Sequence, residues 1–587
     1  MLARVLGALR RWLERPGAPR RVVLLALLLT LPALAAPLVA DDYIHAIRLD
    51  PALHHPGVPH DPDLFVFGSG NAAQRAEMME VGAFSWWAAE DFKLAFARPI
   101  STLTHILDHA LWPDSAPAMH AHSLLWFGLL LAAVGGLYRR LHAGWAGPLA
   151  LALYALDDAR GQPLGFVANR NALIAAFFGV LALAAHDRWR REGWRPGAVL
   201  APMAFGFGLL AGESALATTA FLFAYALFLD EGPRRWLSLA PAAAVVVLWQ
   251  LAYSALGYGA VGSGIYVHPL QDPAAFAAAL AERWPILMMG QLALPPADLW
   301  LMAPPSVRPL WFGAVVIGLL AIGAVMTPTL RASRTARFWA LSTALAAVPI
   351  SATFVSDRLL TFVGIGGAGL VACFLAEVEA GGAAPWRRGA AALALGLHLV
   401  LAPLLLPPRT LTVAGMAWAS GVVDAAVPTD PAVTARTLVI LNAPADGVVA
   451  YTSFERAAKG VPRPRALRLL ATGAGPFVVT REDPRTLRVR PAPGYLATEL
   501  ERMLRAPWDP MAVGDTVTLS DLAVTVTEVT ADGRPQEARF TFARPLEDPS
   551  WILRRWEGDA MVAWTPPAVG ETAVVSAGAE PGRDPGE

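Results

Sequence analysis

Apolar residues in this chain come in long runs broken by short arginine-bearing stretches up to about residue 406, and in short alternating runs after it. The first long run, Val22 to Ala40, is close to the about 20 residues needed to cross a bilayer. Further apolar segments run near 120–138, 145–156, 166–185, 197–211, 214–229, 237–256, 309–326, 337–355, 359–378 and 389–406. Arginine collects on the cytoplasmic side of such segments. The N-terminal arm, Arg139-Arg140, Arg188 to Arg195, Arg234-Arg235, Arg331 to Arg337 and Arg387-Arg388 alternate correctly if the apolar stretch 284–303 does not cross. Pro295-Pro296 inside it supports a re-entrant or surface-lying segment, because proline frees backbone groups that lipid cannot satisfy. The expectation is a polytopic α-helical membrane protein of about eleven spans, N-terminus cytoplasmic and C-terminal region extracytoplasmic. Ala33-Leu34-Ala35 has the look of a signal-peptidase site, so a cleaved leader is the alternative for the first run; the apolar run continues past it to Ala40.

Three domain expectations follow. Residues 1–406 form the multi-span part, with a first extracytoplasmic loop at 42–118. Residues 407–573 form a separate β-rich extracytoplasmic domain, with strand-like runs at Thr437–Leu441, Phe477–Thr480, Thr486–Val489, Ala523–Val529 and Ala538–Ala543 punctuated by Asp532-Gly533 and Pro566-Pro567. Residues 574–587 read as a disordered tail. Inside the first loop, Pro99 opens a helix to residue 111 with Ile100, Leu103, Ile106, Leu107 and Leu111 on one stripe and Ser101, Thr104, His105 and Asp108 on the other. It is expected along the membrane interface, with Trp112 at headgroup depth.

Composition agrees: 587 residues, 55% hydrophobic, 16% charged and a mean hydropathy of +0.45 are too apolar for a soluble chain of this size. Net charge is zero, which removes the electrostatic case for nucleic acid. Cys373 is the single cysteine, so no intramolecular disulfide forms, and no Cys/His spacing matches a zinc site. His54, His55, His60 and His105 read as surface or interface histidines. The basic residues are almost all arginine, which with abundant Ala, Gly and Pro points to a bacterial source and its inner membrane.

Charged residues that fall at the outer leaflet by this topology are the candidate chemistry. Asp41 and Asp42 follow the first span with no spacer, and carboxylates there are either a functional site or a solvated span end. Arg98 enters the interface helix and is a phosphate ligand or a snorkelling arginine. Arg170 lies inside apolar sequence. It is a phosphate ligand, in fork geometry, or the structural partner of Asp157 or Asp158. Glu213 falls at a tight turn with Arg170 or Arg358 as its expected mate, and Arg358 follows Asp357 at the start of a span.

Asp41-Asp42-Tyr43 after the first span, Arg98-Pro99-Ile100-Ser101-Thr102-Leu103, Arg170 and Glu213-Ser214 together resemble a GT-C glycosyltransferase, the multi-span class that uses lipid-phosphate sugar donors. The resemblance covers roughly 20–405 and is nearest to the branch of the protein O-mannosyltransferases and their tetratricopeptide-linked relatives. It implies that Asp41 or Asp42 is the base for the acceptor and that Arg98, Arg170 and Arg358 neutralise the lipid phosphate, with Glu213, Asp157, Asp158 and Gln162 in support. Such relatives carry a His-Pro…Glu segment where this chain reads Asp157-Asp158-Ala159-Arg160-Gly161-Gln162, with Gln162 in the place of the glutamate; no tetratricopeptide repeats follow.

The leading expectation is therefore an enzyme that moves a sugar from a polyprenyl-phosphate donor to an extracytoplasmic acceptor, with membrane lipid as its surroundings. No cofactor or metal site is expected, a divalent ion staying open. The alternatives are a non-catalytic GT-C-like scaffold of envelope assembly, favoured by Gln162, and a transporter or flippase.

Overall fold

The computed structural model describes residues 1–473 and 475–576. Long-range packing divides them into two units. The first is Met1–Leu38, Phe96–Tyr258 and His268–Val413; the second is Val39–Ala95, Gly259–Val267 and the chain from Ala414 on.

The first unit is helical. Among the described residues of the chain, seven helical stretches are long and apolar enough to cross a membrane: Ala18–Ala35, Ala116–Leu141, Val167–Glu192, Leu237–Ala255, Arg308–Ala332, Thr361–Ala380 and Pro385–Ala425. Ala146–Ala155, Gly197–Ala211 and Glu213–Phe228 are apolar but shorter. Where the sequence pattern put a non-crossing stretch at 284–303, the Pro273–Leu292 helix stops ahead of Pro295-Pro296 and a short helix resumes at Leu299–Met302. The burial is that of a bundle surrounded by lipid. Phe127, Leu130, Val134, Leu149 and Trp339 are enclosed, whereas Leu248, Leu251, Leu310, Ile317 and Leu320 point outward.

Ion pairs fix which helix ends lie together. Arg140 closes on Asp187 at 2.5 Å, Tyr225 donates to Asp187 at 2.9 Å and Arg190 meets Asp230 at 2.6 Å, so the arginine-bearing ends of Ala116–Leu141 and Arg170–Glu192 share one end of the bundle with the end of Ala217–Phe228. At the opposite end Arg170 donates to Ser123 and to the Met119 carbonyl, and Ser101 donates to the Ala211 carbonyl. The Ala146–Ala155 helix rises only about 15 Å, half of a bilayer core. The chain therefore turns at Asp157 inside the bundle, where Asp157 and Arg160 are buried.

The second unit does not follow the expected boundary at 406/407. It gathers most of the first loop and residues 259–267 with the C-terminal region. The physical reason is that these loops have no core of their own. Val66–Ser69, Lys93–Ala95 and Gly259–Val261 pair as a three-stranded antiparallel sheet. Trp86 and Trp87 pack on Tyr495, the Ala89 amide donates to Leu504, and Arg505 donates to the Trp87 carbonyl at 2.6 Å.

The C-terminal strands make two sheets. One is six-stranded and antiparallel, in the order Thr572–Val575, Phe477–Asp483, Thr486–Pro491, Pro535–Phe542, Leu522–Val529, Thr516–Thr518. The other is mixed: Thr437–Ala443 runs parallel to both Ala466–Thr472 and Trp551–Glu557, with the Asp446–Ala458 helix as the crossover. The strand runs read from alternation lie in these sheets. The crossover helix and the Ala466–Thr472 strand, buried along its whole length, were not among those runs. Thr572–Val575 extends the fold into the first residues assigned to the tail, while 577–587 lie outside the described residues.

Candidate functional site

The helix expected at 99–111 is present as Pro99–Leu111. Its polar stripe of Ser101, Thr104, His105 and Asp108 is buried, and Leu103, Leu107 and Leu111 are exposed. A soluble protein would turn such a helix the other way round. Here the leucines suit a lipid-facing surface and the polar stripe covers a charge. That charge is Arg170, which has no solvent exposure. It pairs with Asp108 at 2.6 Å, donates to Ser123 at 3.0 Å, to Thr104 at 3.3 Å and to the Met119 carbonyl at 2.7 Å. Asp108 also accepts a hydrogen bond from His122 Nδ1 at 2.6 Å, and Trp126 donates to the other ring nitrogen at 3.2 Å. Arg170 is thus the structural ion-pair centre of this end of the bundle. Its partner is Asp108, not Asp157 or Asp158, and its enclosed guanidinium leaves no face open to a phosphate.

A second charged centre forms around Arg409. Its guanidinium reaches Asp298 at 2.9 Å and Asp158 at 3.5 Å and bonds Asp357. The Ala297 amide donates to Asp357, and Ser356 donates to Asp298 at 2.6 Å. Asp157 stands beside this centre and accepts from Gln291 at 2.8 Å. A small cavity of about 40 Å³ opens between Asp157, Asp158, Asp357, Gln291 and His398 on one side and Leu294, Leu397, Leu401 and Leu405 on the other. No group of three or more His, Cys, Asp or Glu among the described residues has an arrangement that could hold a metal ion.

Glycines bring Arg409 this close. A Cβ on Gly165 would stand 1.8 Å from the Thr410 carbonyl oxygen, and one on Gly161 would stand 2.7 Å from the Arg409 Cβ. Gly165→Ala should therefore push the 157–170 segment off the Ala402–Arg409 helix and cost about 1–3 kcal/mol, read as an earlier thermal transition in detergent. An unchanged transition would mean that the backbone yields here at no cost.

The same centre sets a pH dependence. Burial, with Asp298 alongside, pushes the Asp357 carboxyl up to about 7. Burial, with Asp157 alongside, pushes Asp158 up to about 6. The folded chain then holds these protons more tightly than the unfolded chain, whose carboxyls titrate near 3.8. Their stabilising contribution is full below that value and is lost as pH rises through 6 and 7. The thermal midpoint should fall by roughly 2–6 °C between pH 5 and pH 8, and Asp357→Asn should flatten that slope. An equal slope in the variant would place its origin elsewhere.

The remaining predicted residues fall in separate places. Arg98 bonds Glu213 at 2.9 Å and stacks on Phe96, and Tyr253 donates to Glu213 at 3.5 Å, so the mate of Glu213 is Arg98 rather than Arg170 or Arg358. Arg358 is half-buried over the Phe354 ring and has no carboxylate partner among the described residues. Gln162, in the Gly161–Gly165 turn, has its side-chain oxygen buried without a hydrogen-bond partner among the described residues.

Asp41 and Asp42 belong to the second unit and begin the Asp41–Leu49 helix. Ala40, just before them, has φ +48° and ψ −114°, a left-handed conformation that costs a residue with a Cβ about 1–3 kcal/mol. Buried Asp42 supports the turn by accepting from the Val39 amide at 3.0 Å. Half-buried Asp41 accepts from the Tyr451 hydroxyl at 2.8 Å. Burial and Glu455 raise the Tyr43 phenol above its ordinary value. His55 is not a surface residue: it is fully enclosed and accepts from Ser453 at 2.9 Å, and burial drives its imidazole down to about 3. His105 is buried as well, while His54 and His60 are exposed.

Sequence reading missed Asp108, His122, Arg409, Asp298 and Tyr451. Only Asp108 left a signal, as a carboxylate on the polar stripe of an otherwise apolar helix.

No family model matches the chain, and no curated protein matches it. Among solved structures it aligns with the Archaeoglobus fulgidus oligosaccharyltransferase in the apo form at 14% identity and a TM-score of 0.40, over 77% of this chain and 65% of that one. It aligns with the arabinofuranosyltransferase AftD from Mycobacteria at 15% identity and a TM-score of 0.34, over 92% of this chain and 40% of that one. The chain thus spans just under two thirds of the first protein and less than half of the second, and likenesses of this size leave its function to be argued from its own residues.

Proposed function

We propose that this chain is a membrane-embedded glycosyltransferase of the GT-C kind, which moves a sugar from a polyprenyl-phosphate donor to an acceptor on the extracytoplasmic face of a bacterial inner membrane. The observation that carries the reading is the strained Ala40 turn, which starts a helix on two carboxylates directly after the first apolar run. Strain of this kind persists where the surroundings hold a group in a required position. In the proposed reaction Asp41 takes the proton of the acceptor as the acceptor atom bonds to the anomeric carbon. The bond from that carbon to the phosphate oxygen breaks, and the lipid phosphate leaves with its electron pair. Asp42 shapes the turn. Arg358, with no carboxylate partner among the described residues, is the cation assigned to the leaving phosphate, whereas the charge of Arg98 is already answered by Glu213. Arg170 acts at a remove, by holding the leucine-faced helix in place.

Two observations favour the non-catalytic scaffold as a second reading: Arg170 is consumed by Asp108, and Gln162 offers no acid. Purified protein offered a panel of radiolabelled polyprenyl-phosphate sugars, with and without divalent ions, decides between the two. Turnover of any donor, abolished in Arg358→Ala while the fold is kept, is the expected result. Absence of turnover with every donor and ion would move the assignment to the scaffold.

A further inference from the structure

The arginine-rich end of the bundle carries a surface that the proposed reaction does not use. The Leu2–Leu13 helix turns Leu2, Leu6, Leu9 and Leu13 toward the core of the first unit, Leu6 and Leu13 being fully enclosed. That spacing of four, three and four residues is one helical face. Arg4 and Arg11, seven residues apart, occupy the other side, Arg15 follows the end of the helix, and all three are exposed. Arg10 is already neutralised, by Glu14 at 2.9 Å and by Glu379 at 3.1 Å, and this second bond fastens the helix to the end of Thr361–Ala380. Arg20 and Arg21 open the next helix, Ala18–Thr30, and are exposed too. None of Arg4, Arg11, Arg15, Arg20 and Arg21 has a carboxylate partner among the described residues.

What lies next to these five charges identifies their ligand. Within one to three turns of Arg20 and Arg21, Leu24, Leu25, Leu28 and Leu31 are exposed on a helix apolar enough to cross a membrane. Leucines placed so are covered by acyl chains, which sets the two arginines at the depth of the headgroups. The arginine side of the preceding helix continues that layer. Guanidinium groups match phosphate oxygens in fork geometry, and a basic cluster beside a membrane span attracts anionic lipid. We infer that Arg4, Arg11, Arg15, Arg20 and Arg21 form a binding surface for the headgroups of anionic phospholipids, which holds the N-terminal helix against the bilayer.

The test uses the full chain in nanodiscs of equal parts phosphatidylglycerol and phosphatidylcholine, with the lipids that stay bound counted by native mass spectrometry. The retained lipid should be enriched in phosphatidylglycerol by about fivefold or more at low salt and less so at high salt. The variant R4Q/R11Q/R15Q/R20Q/R21Q should retain the two lipids in their bulk ratio. The charge-preserving variant R4K/R11K/R15K/R20K/R21K should keep the preference, which separates lost charge from lost folding. Equal retention of both lipids by the wild type, or an undiminished preference in the glutamine variant, would overturn the assignment.

Discussion

Replacing Arg170 with alanine should cost this protein about 3–5 kcal/mol, the largest stability loss expected of any single charged residue in the first unit. The reason lies in what the substitution leaves behind. Asp108 is as deeply enclosed as Arg170, and without the guanidinium its charge keeps, among the described residues, the His122 ring as its close counterpart. Thr104, Ser123 and the Met119 carbonyl lose their donor in the same step. The Pro99–Leu111 helix, whose polar stripe covers this centre, would keep its Ser101 and His122 contacts but lose the charge that its stripe encloses. In detergent the variant should appear as aggregated or strongly heat-labile protein in size-exclusion and thermal-shift measurements. Asp108→Asn should do comparable damage from the other side of the pair. The double variant Arg170→Met/Asp108→Leu should be less damaging than the sum of the single losses, because it removes both charges from the interior together. Arg358→Ala provides the contrast: that side chain is half-buried and has no ion pair among the described residues, so its loss should leave the thermal midpoint nearly unchanged. An Arg170→Ala protein as stable as the wild type would show that water reaches this centre and that the pair is not structural.

The contrast between Arg170 and Arg358 also marks what the sequence could and could not give. Periodicity placed the Pro99–Leu111 helix and its two stripes, because a helix repeats every 3.6 residues and those residues are adjacent in the chain. It could not say that Asp108 answers Arg170, since 62 residues of chain separate them, and the pairing depends on how two helices stack. Arg409 was hidden for another reason. It follows Pro407-Pro408, which reads as a boundary, and it becomes the counter-ion of Asp158, Asp298 and Asp357 only once three distant turns meet. The expected domain boundary moved because loop sequences with apolar residues but no continuous core, such as Phe84 to Trp87, must bury them on something. The C-terminal sheets supply that surface. The turn at Asp41 is a middle case. Two carboxylates at the end of an apolar run are visible in the sequence, and the left-handed Ala40 that aims them is not, because nothing in an alanine announces a positive φ.

Asp41→Asn should lower kcat for sugar transfer by about 10²–10⁴ while leaving KM for the donor within about threefold, the signature of a lost proton acceptor rather than a lost binding contact. The two neighbouring carboxylates are separable because the structure gives them different work. Asp42 is buried and holds the Val39 amide across the strained residue, so Asp42→Asn should weaken the turn and lower stability and kcat together. Asp41 is half-buried and held by the Tyr451 hydroxyl from the Asp446–Ala458 helix, so its amide replacement keeps the shape of the site and removes only the basicity. Tyr451→Phe should produce a smaller loss, because it removes the hydrogen bond that holds the carboxylate in place and leaves the carboxylate itself. Ala40→Gly tests the turn itself. Glycine relieves the left-handed strain and should raise stability by about 1 kcal/mol or more. A gain in stability accompanied by a fall in kcat would place the strained turn in the service of Asp41. Retained turnover in Asp41→Asn would remove the base from this position and leave Asp42 to be tested in its place.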